Sequence, residues 1–275
     1  MSKKHFWITL AVCAATASVA VAQTTTDRAE FLSEVKAMRA GLIATAAAPA
    51  PPAAPGGSDT DSFGRNVTFD GLLQAGTVSL FADPAGCTPL PGDPAPGPDD
   101  RCVVLNPAPG LTTFDFPDIG RLTIPGRSAH SLLCHWLTPI AYYSFQNPTG
   151  VFQSLATYRL SPYVIVESSV LSDPALIDPT TGLPFNGKLE TAFAATYQDS
   201  QSLDVNQSAT RRFSETRVCI GGFLTKANLM STYGLTDAQA TQVFRHDMTL
   251  RFGLRGSAKL VDSSFVIYGL RVVGD

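Results

Sequence analysis

Residues 248–273 read MTLRFGLRGSAKLVDSSFVIYGLRVV, and this stretch decides the fold class of the chain. Within residues 248–255, apolar side chains alternate with polar or small ones, which is typical of a strand with one buried face. Residues 265–273 are apolar on both faces and therefore predict a strand in the middle of a sheet. We expect removal of the last ten residues to unfold the domain, because it would delete this central strand.

Runs rich in Val, Ile, Thr, Phe and Tyr recur upstream, separated by clusters of Gly, Pro, Asn and Asp. This spacing predicts an all-β fold, an antiparallel sandwich or jelly-roll-like domain at residues 63–275, and the lack of intervening helices excludes a parallel α/β sheet. A short helix capped by Thr236 or Asp237 and a helical turn at residues 226–233 interrupt the pattern. The further predicted strands lie at residues 65–69, 77–81, 102–105, 112–116, 121–124, 131–137, 140–145, 151–160, 163–171, 191–197 and 213–220.

The amino terminus has the layout of a secretory signal peptide. Lys3 and Lys4 precede an apolar run, and the small-residue sequence AVA occupies residues 20–22. This pattern predicts a leader at residues 1–22, with a retained anchor or lipid attachment at Cys13 as alternatives. We therefore expect an exported protein, periplasmic, cell-surface or extracellular, with no stable membrane span after cleavage.

A second segment separates the leader from the β-domain. Residues 23–47 predict an amphipathic helix, which begins near Asp27 and repeats apolar side chains at three- and four-residue steps. Residues 48–62 are rich in Ala, Pro and Gly and predict an extended linker. The helix is expected either to pack on the main domain or to mediate assembly through its apolar stripe.

Charge limits the classes of partner. The chain carries 20 Lys and Arg residues against 23 Asp and Glu residues, a net charge of −3. Loss of Lys3 and Lys4 with the leader lowers this charge to −5. We therefore expect no nucleic-acid partner.

Four cysteines follow the leader: Cys87, Cys102, Cys134 and Cys219. An even number in an exported chain favours two disulfides over a metal site, and four cysteines allow three connectivities. We predict Cys87–Cys102, because this pair lies around a Pro- and Gly-rich loop at residues 83–100. We predict Cys134–Cys219 because both residues lie in strand-like segments.

The histidine and carboxylate residues allow catalytic functions to be considered, but they form no specific catalytic motif. His130, Cys134 and His135 lie close in sequence, but His135 points to the opposite face of a strand from the other two, so we expect no metal there. The chain has no Gly-x-Ser-x-Gly elbow to mark a serine nucleophile. We therefore assign no catalytic residue.

A glycosidase would need two carboxylates facing one cleft. Glu167, Glu190 and Glu215 lie on predicted strands, where a solvated strand face is the simpler explanation. An exported hydrolase acting on carbohydrate or ester, with a cleft beneath the long loops at residues 83–100 and 173–188, is the competing hypothesis.

Two patterns favour a ligand-binding module instead. The acidic sequence at residues 59–61 and the pair Asp99-Asp100 partly match the oxygen ligands of calcium, with a polar turn as the alternative. Trp136, Tyr142 and Tyr143 offer aromatic rings on which a sugar could stack, with core packing as the alternative.

The leading functional prediction follows from the export signal, the linker-borne helix and the missing catalytic motifs. We expect a non-catalytic envelope, surface or matrix protein that acts through binding or assembly, with self-assembly or an envelope or surface partner. The alternatives are the exported hydrolase and the sugar- or calcium-binding module. We expect no resident cofactor, with calcium as the one candidate.

Overall fold

A computed structural model describes the β-rich part of the chain. It covers residues 67–89, 95–192, 196–214 and 223–275, without the side chains of residues 133–139 and 192. The predicted leader, N-terminal helix and linker lie outside these residues. The described part is all-β, as the sequence predicts, and contains no helix long and apolar enough to span a membrane.

Twelve strands make up the described part of the fold. In chain order they are β1 (Phe69–Gln74), β2 (Val78–Phe81), β3 (Arg101–Val104), β4 (Leu111–Ile124), β5 (Ser131–Gln146), β6 (Gln153–Ser168), β7 (Lys188–Ala192), β8 (Tyr197–Leu203), β9 (Ser208–Ser214), β10 (Leu224–Thr225), β11 (Met248–Lys259) and β12 (Val261–Gly274).

The strands form two sheets. The larger sheet has the order β10-β5-β12-β2-β3, with β1 beside β12 and β9 beside β5. The smaller sheet has the order β4-β11-β6-β7, with β8 also beside β6. In the larger sheet the long strands β5 and β12 lie at the centre, between shorter strands. In the smaller sheet β11 and β6 lie at the centre, with the long strand β4 at one edge and the short strands β7 and β8 sharing the other.

The two C-terminal strands confirm the pattern that decides the fold class. In β11 the alternate residues Met248, Leu250, Phe252 and Leu254 are buried. β12 pairs with β5 on one edge and with β1 and β2 on the other, and it is buried on both faces over most of its length. Leu260, at a φ of 56°, is the one residue between β11 in the smaller sheet and β12 in the larger.

The core lies between the sheets and contains side chains from both. Phe252 of the smaller sheet and Tyr268 of the larger have ring centroids 5.3 Å apart. Because burial of one large apolar side chain contributes about 1.5–3 kcal/mol, this shared core is the main stabilising feature of the two sheets.

Proline positions misled the sequence prediction. The breaks predicted near Pro139 and Pro162 are absent, and β5 and β6 run through them as strands of 16 residues each. In β6, β8 pairs with residues up to Leu160 and β7 with residues from Tyr163 onward. Pro162 therefore lies where the edge partner changes, a position that tolerates the missing N–H.

The predicted break between residues 116 and 121 is also wrong, because β4 is one strand. Its register against β11 jumps so that Pro117, Asp118 and Ile119 stand opposite Gly253 alone. This bulge accommodates the proline inside a long strand.

Two further features differ from the prediction. The first described strand begins at Phe69, where the predicted strand at residues 65–69 ends. The sheets are antiparallel except for β2 and β3, which pair in parallel. The Cys87–Cys102 disulfide predicted from the sequence joins the segment that follows β2 to β3.

Helices Lys226–Ser231 and Asp237–Arg245 agree with the helical segments predicted from the sequence. Thr236 caps the second helix, and its hydroxyl and the side chain of Gln239 form a reciprocal capping box. Thr225 caps the first helix by accepting a hydrogen bond from the Asn228 N–H.

The strands place their connections at two opposite ends. We call the end that contains Leu260 and the loops at residues 105–110, 147–152 and 204–207 the Leu260 end. We call the opposite end, which contains both helices and the turn at residues 125–130, the helix end.

Candidate functional site

An apolar cleft opens at the Leu260 end. It has a volume of about 480 Å³, within the range usual for small-ligand pockets. The loop between β3 and β4, the end of β5 and the crossing at Leu260 form its walls. Its apolar lining includes Val104, Leu105, Pro107, Ala108, Pro148 and Leu260.

Exposed apolar side chains lie at the same end as this cleft, and one of them, Val104, also lines it. Among the described residues, nine large apolar side chains are well exposed, and six of them lie at the Leu260 end. Val151 and Phe152 are the most exposed of these six, at 58% each. We call the six the apolar rim: Val104, Leu111, Val151, Phe152, Leu155 and Val205.

A buried asparagine holds the tips of the rim in place. Asn147 is fully buried, and its side-chain amide donates to the carbonyls of Val151 at 2.7 Å and Asp204 at 3.0 Å. Its backbone N–H donates to the Gln207 carbonyl, and its own carbonyl accepts from Asn206. These bonds join the two loops that carry Val151, Phe152 and Val205, so the rim is preorganised.

A tyrosine cluster lies beneath the rim, between the sheets. The Tyr143 hydroxyl donates to Asp199 at 2.6 Å and lies 2.5 Å from the Tyr197 hydroxyl. The Tyr143 and Tyr158 rings stack with centroids 4.3 Å apart, and Tyr158 hydrogen-bonds Ser264 at 2.6 Å. Burial, reinforced by Asp199, raises the pKa of Tyr143 well above its ordinary value, and burial likewise raises the pKa of Tyr158.

One acidic residue of the described part of the chain lines the cleft. Asp262 lines the cleft, and desolvation together with the neighbouring Asp83 carboxylate raises its pKa. The Asp262 carboxyl in the lining, with Asp83 near it, disfavours an anionic occupant. The cleft is therefore suited to neutral and apolar groups.

Of the aromatic residues proposed from the sequence for sugar stacking, the two with described side chains, Tyr142 and Tyr143, do not line this cleft. Tyr143 is fully buried, so its ring is not available to a ligand in solvent, and core packing explains it. Tyr142 is half-buried on the opposite face of β5. Trp136 lies in β5, but its side chain is outside the described residues. Binding at Trp136 and Tyr142 stays a prediction.

The carboxylates considered for a glycosidase face the outer surface of the smaller sheet. Glu167 pairs with Arg251 at 2.8 Å. Glu190 pairs with Arg255 through two contacts of 2.5 and 2.8 Å, and Arg255 also binds Asp115. Each carboxylate is held by an arginine across the strands, while Glu215 lies outside the described residues.

The same surface contains the bulge of β4. Asp118 in this bulge accepts hydrogen bonds from Arg121 and Arg251. The hydrogen bond from Arg121, with the positive charge of both arginines, lowers the pKa of Asp118. The bulge thus places a carboxylate between two arginines, a structural role on a solvated face.

The two histidines whose side chains are described lie at the helix end. The His246 Nδ1 atom is 2.9 Å from the Gln242 carbonyl, and His246 lines an open polar groove with Ser168 and Ser172. Within the described residues, no hydrogen bond joins a histidine ring to a serine hydroxyl. His130 is exposed, and its backbone N–H donates to Asp275.

Metal ligands do not cluster in the described part of the chain, where no three His, Cys, Asp or Glu side chains come together. The Asp100 carboxylate accepts hydrogen bonds from the backbone N–H groups of Thr77 and Gly97, each at 2.7 Å. This carboxylate therefore closes a polar turn, which is the alternative to calcium binding given in the sequence analysis. The acidic residues 59–61 and Cys219 lie outside the described residues, as do the side chains of Cys134 and His135. The Cys134–Cys219 pairing stays a prediction.

Sequence reasoning missed the apolar rim. The sequence pattern predicts a strand at residues 151–160 that includes Val151 and Phe152, whereas β6 begins at Gln153 and leaves both residues in the preceding loop. The available signal was an apolar pair directly after the turn sequence NPTG at residues 147–150. In a strand, alternate side chains point into the core, but two adjacent apolar residues beside a turn do not follow that alternation. This pattern distinguishes an exposed apolar pair from core residues.

Comparisons with known proteins add little to this geometry. No protein-family model matches the chain, and no curated protein matches it. Among solved structures, the infectious bursal disease virus VP2 subviral particle is similar at 11% sequence identity and a TM-score of 0.16. The match covers 76% of this chain and 56% of the length of that protein. A TM-score this low carries no argument about fold or function.

Proposed function

We propose that this chain is an exported, non-catalytic envelope or surface protein that self-assembles through its Leu260 end. The observation that carries the proposal is the concentration of exposed apolar side chains in the apolar rim. Soluble monomers rarely expose contiguous apolar surface without a partner for it. The rim shares the Leu260 end with the apolar cleft, which Val104 of the rim lines and which an apolar side chain of a second copy can enter.

Rigidity of the rim supports this proposal. Asn147 fixes the loops that carry Val151 and Val205, so little conformational entropy is lost when they contact a partner. Burial of an exposed Phe or Val side chain contributes about 1.5–3 kcal/mol, and several such residues acting together can offset the cost of association.

Export is supported by the disulfide. Cys87–Cys102 closes the loop between β2 and β3. Disulfides of this kind persist in oxidising compartments outside the cytoplasm. The leader predicted at residues 1–22 is consistent with such a location.

We also infer that the two sheets form an antiparallel sandwich of jelly-roll type. In support, the chain passes repeatedly from the smaller sheet to the larger, from β4 to β5 and from β11 to β12.

Sedimentation velocity of the mature chain over a range of concentrations tests the proposal. We expect wild type to associate as concentration rises and the double variant Val151→Ser/Phe152→Ser to remain monomeric. Leu183→Ser is the matched control, because Leu183 is 64% exposed but lies at the helix end, and it should associate like wild type. A wild type that stays monomeric throughout, or a double variant that associates equally, would contradict the proposal.

A further inference from the structure

A turn at the helix end holds an arginine in an unfavourable backbone conformation. Arg127 has a φ of 66°, in the left-handed region that costs a non-glycine residue about 1–2 kcal/mol. Its N–H donates to the Phe244 carbonyl at 2.8 Å, and the Gly126 N–H donates to the Asp247 Oδ1 atom at 2.7 Å. These bonds fix the turn against the C-terminal end of helix Asp237–Arg245.

The turn brings Arg127 to a pocket that is lined mainly by basic residues. The pocket has a volume of about 560 Å³, and four of its six lining residues are basic. The chain as a whole is acidic, with a net charge of −3, so this concentration of basic side chains opposes the overall composition. The lining residues are Arg127, His130, Lys226, Thr241, Phe244 and Arg245.

The described carboxylates near this pocket do not pair with the guanidinium groups of Arg127 and Arg245, which can therefore bind a ligand. Asp237 pairs with Lys226 at 2.7 Å, and Asp247 accepts from the backbone of the turn. Neither Arg127 nor Arg245 pairs with a carboxylate of the residues that the structure describes. Two like charges beside one pocket repel each other, and an anion between them would remove that repulsion.

We propose that this pocket binds a phosphate-like oxyanion, held between Arg127 and Arg245 with Lys226 and His130 at its edge. Arginine forks bind tetrahedral oxyanions through paired N–H groups, and donors that come from a turn and two helices suit a group with oxygens in several directions. The volume exceeds that of one phosphate, so the pocket has room for a larger molecule that carries the oxyanion or for a ligand with two phosphate groups. This site is independent of the apolar rim.

Isothermal titration of the mature chain with pyrophosphate tests the site, with acetate at matched ionic strength as the reference ligand. We expect pyrophosphate to bind and acetate not to bind detectably. The decisive variant is Arg127→Gly, because glycine accepts the positive φ and keeps the turn while it removes the guanidinium. We expect Arg127→Gly and Arg245→Gln each to weaken binding about tenfold or more.

Arg121→Gln is the matched control, since Arg121 is an exposed arginine on the outer face of the smaller sheet. Its affinity for pyrophosphate should equal that of wild type. Absence of pyrophosphate binding by wild type, or equal affinity in folded Arg127→Gly, would overturn the proposal. Equal weakening in Arg121→Gln would also overturn it, because binding would then follow net charge alone.

Vesicles distinguish the source of the oxyanion. If wild type binds phosphatidylglycerol vesicles but not phosphatidylcholine vesicles, and pyrophosphate competes, the ligand is a membrane phosphate group. If pyrophosphate binds and neither vesicle does, the ligand is a soluble phosphate compound. Phosphatidylglycerol binding that neither Arg127→Gly nor pyrophosphate reduces would count against the pocket.

Discussion

The Leu260 end and the helix end close the same two sheets, yet they expose opposite kinds of side chain. The Leu260 end presents an apolar cleft and the apolar rim, whereas the helix end presents basic side chains and a polar groove. Both ends cover one continuous core. Covering the core therefore requires neither an apolar nor a basic outer surface. The side chains exposed at each end can instead serve a function.

The two ends also differ in how they are closed. At the helix end, buried side chains such as Leu229, Val243 and Phe244 of the two helices cover the core directly. At the Leu260 end there is no helix among the described residues except a short 3-10 turn at Pro84–Cys87, and polar bonds from Asn147 organise the loops. The apolar groups there consequently remain exposed.

The largest expected effect on stability comes from a deletion that affects both ends, because β12 runs from one end to the other. Deletion of residues 266–275 removes most of β12, leaves β1 without its partner and removes the partner of most of β5. We expect complete loss of cooperative unfolding, measured by near-ultraviolet circular dichroism during a thermal melt. Deletion of Asp275 alone is the control and should keep a cooperative transition. A cooperative transition in the longer deletion would show that β12 is dispensable.

The next effect is confined to the Leu260 end. Asn147→Ala leaves the Val151 and Asp204 carbonyls without their buried donor, which costs on the order of 3 kcal/mol of unfolding free energy. Urea unfolding measures the loss, and hydrogen exchange should accelerate at residues 149–152 and 204–207. Asn106→Ala removes an exposed bond to Leu111 at the same end and should cost less than about 1 kcal/mol. Equal losses in both variants would contradict the role given to Asn147.

The pH dependence of unfolding tests the contribution of the tyrosine cluster beneath the rim. Because burial raises the pKa of Tyr143 and Tyr158, both stay neutral in the folded state at a pH where the unfolded chain ionises. Their stabilisation is present below pH ~10 and is lost as pH rises above it. Tyr143→Phe should lower stability at pH 7 by about 1–2 kcal/mol and make the alkaline decline shallower by about 1.4 kcal/mol per pH unit. Urea unfolding between neutral and alkaline pH checks both values, and an unchanged alkaline slope would exclude Tyr143 as a contributor.

The smallest expected effect is confined to the helix end. Thr236→Ala removes the capping hydroxyl of helix Asp237–Arg245 and should cost about 1 kcal/mol. Thr241→Ala, within the same helix, should cost less, because its hydroxyl only adds a bond to the Asp237 carbonyl. Chemical denaturation compares the two, and hydrogen exchange should rise in this helix but not at residues 147–152. Faster exchange at the Leu260 end would show that the two ends are coupled.

Much of the fold could be predicted from side-chain alternation. The patterns of β11 and β12 determine buried faces directly, and the Thr236 cap is a local signal. Pro117 and Pro162 misled the prediction, because tolerance of proline depends on a bulge or a change of partner strand. Such features are set by other strands and leave no local trace.

The candidate sites were harder to predict than the strands. The rim depends on Asn147, which joins loops that are more than fifty residues apart in sequence. The basic pocket depends on contact between a turn at Arg127 and the end of a helix at Arg245. Each set of residues is brought together only by the packing of the sheets, so no spacing along the chain reveals it.

Hydrogen exchange of the mature chain in its associated and dissociated states tests the self-assembly proposal most directly. The proposal predicts slower exchange in the associated state at residues 147–155 and 203–207, with no change at residues 177–184 of the helix end. Protection at residues 177–184 with none at the Leu260 end would contradict it.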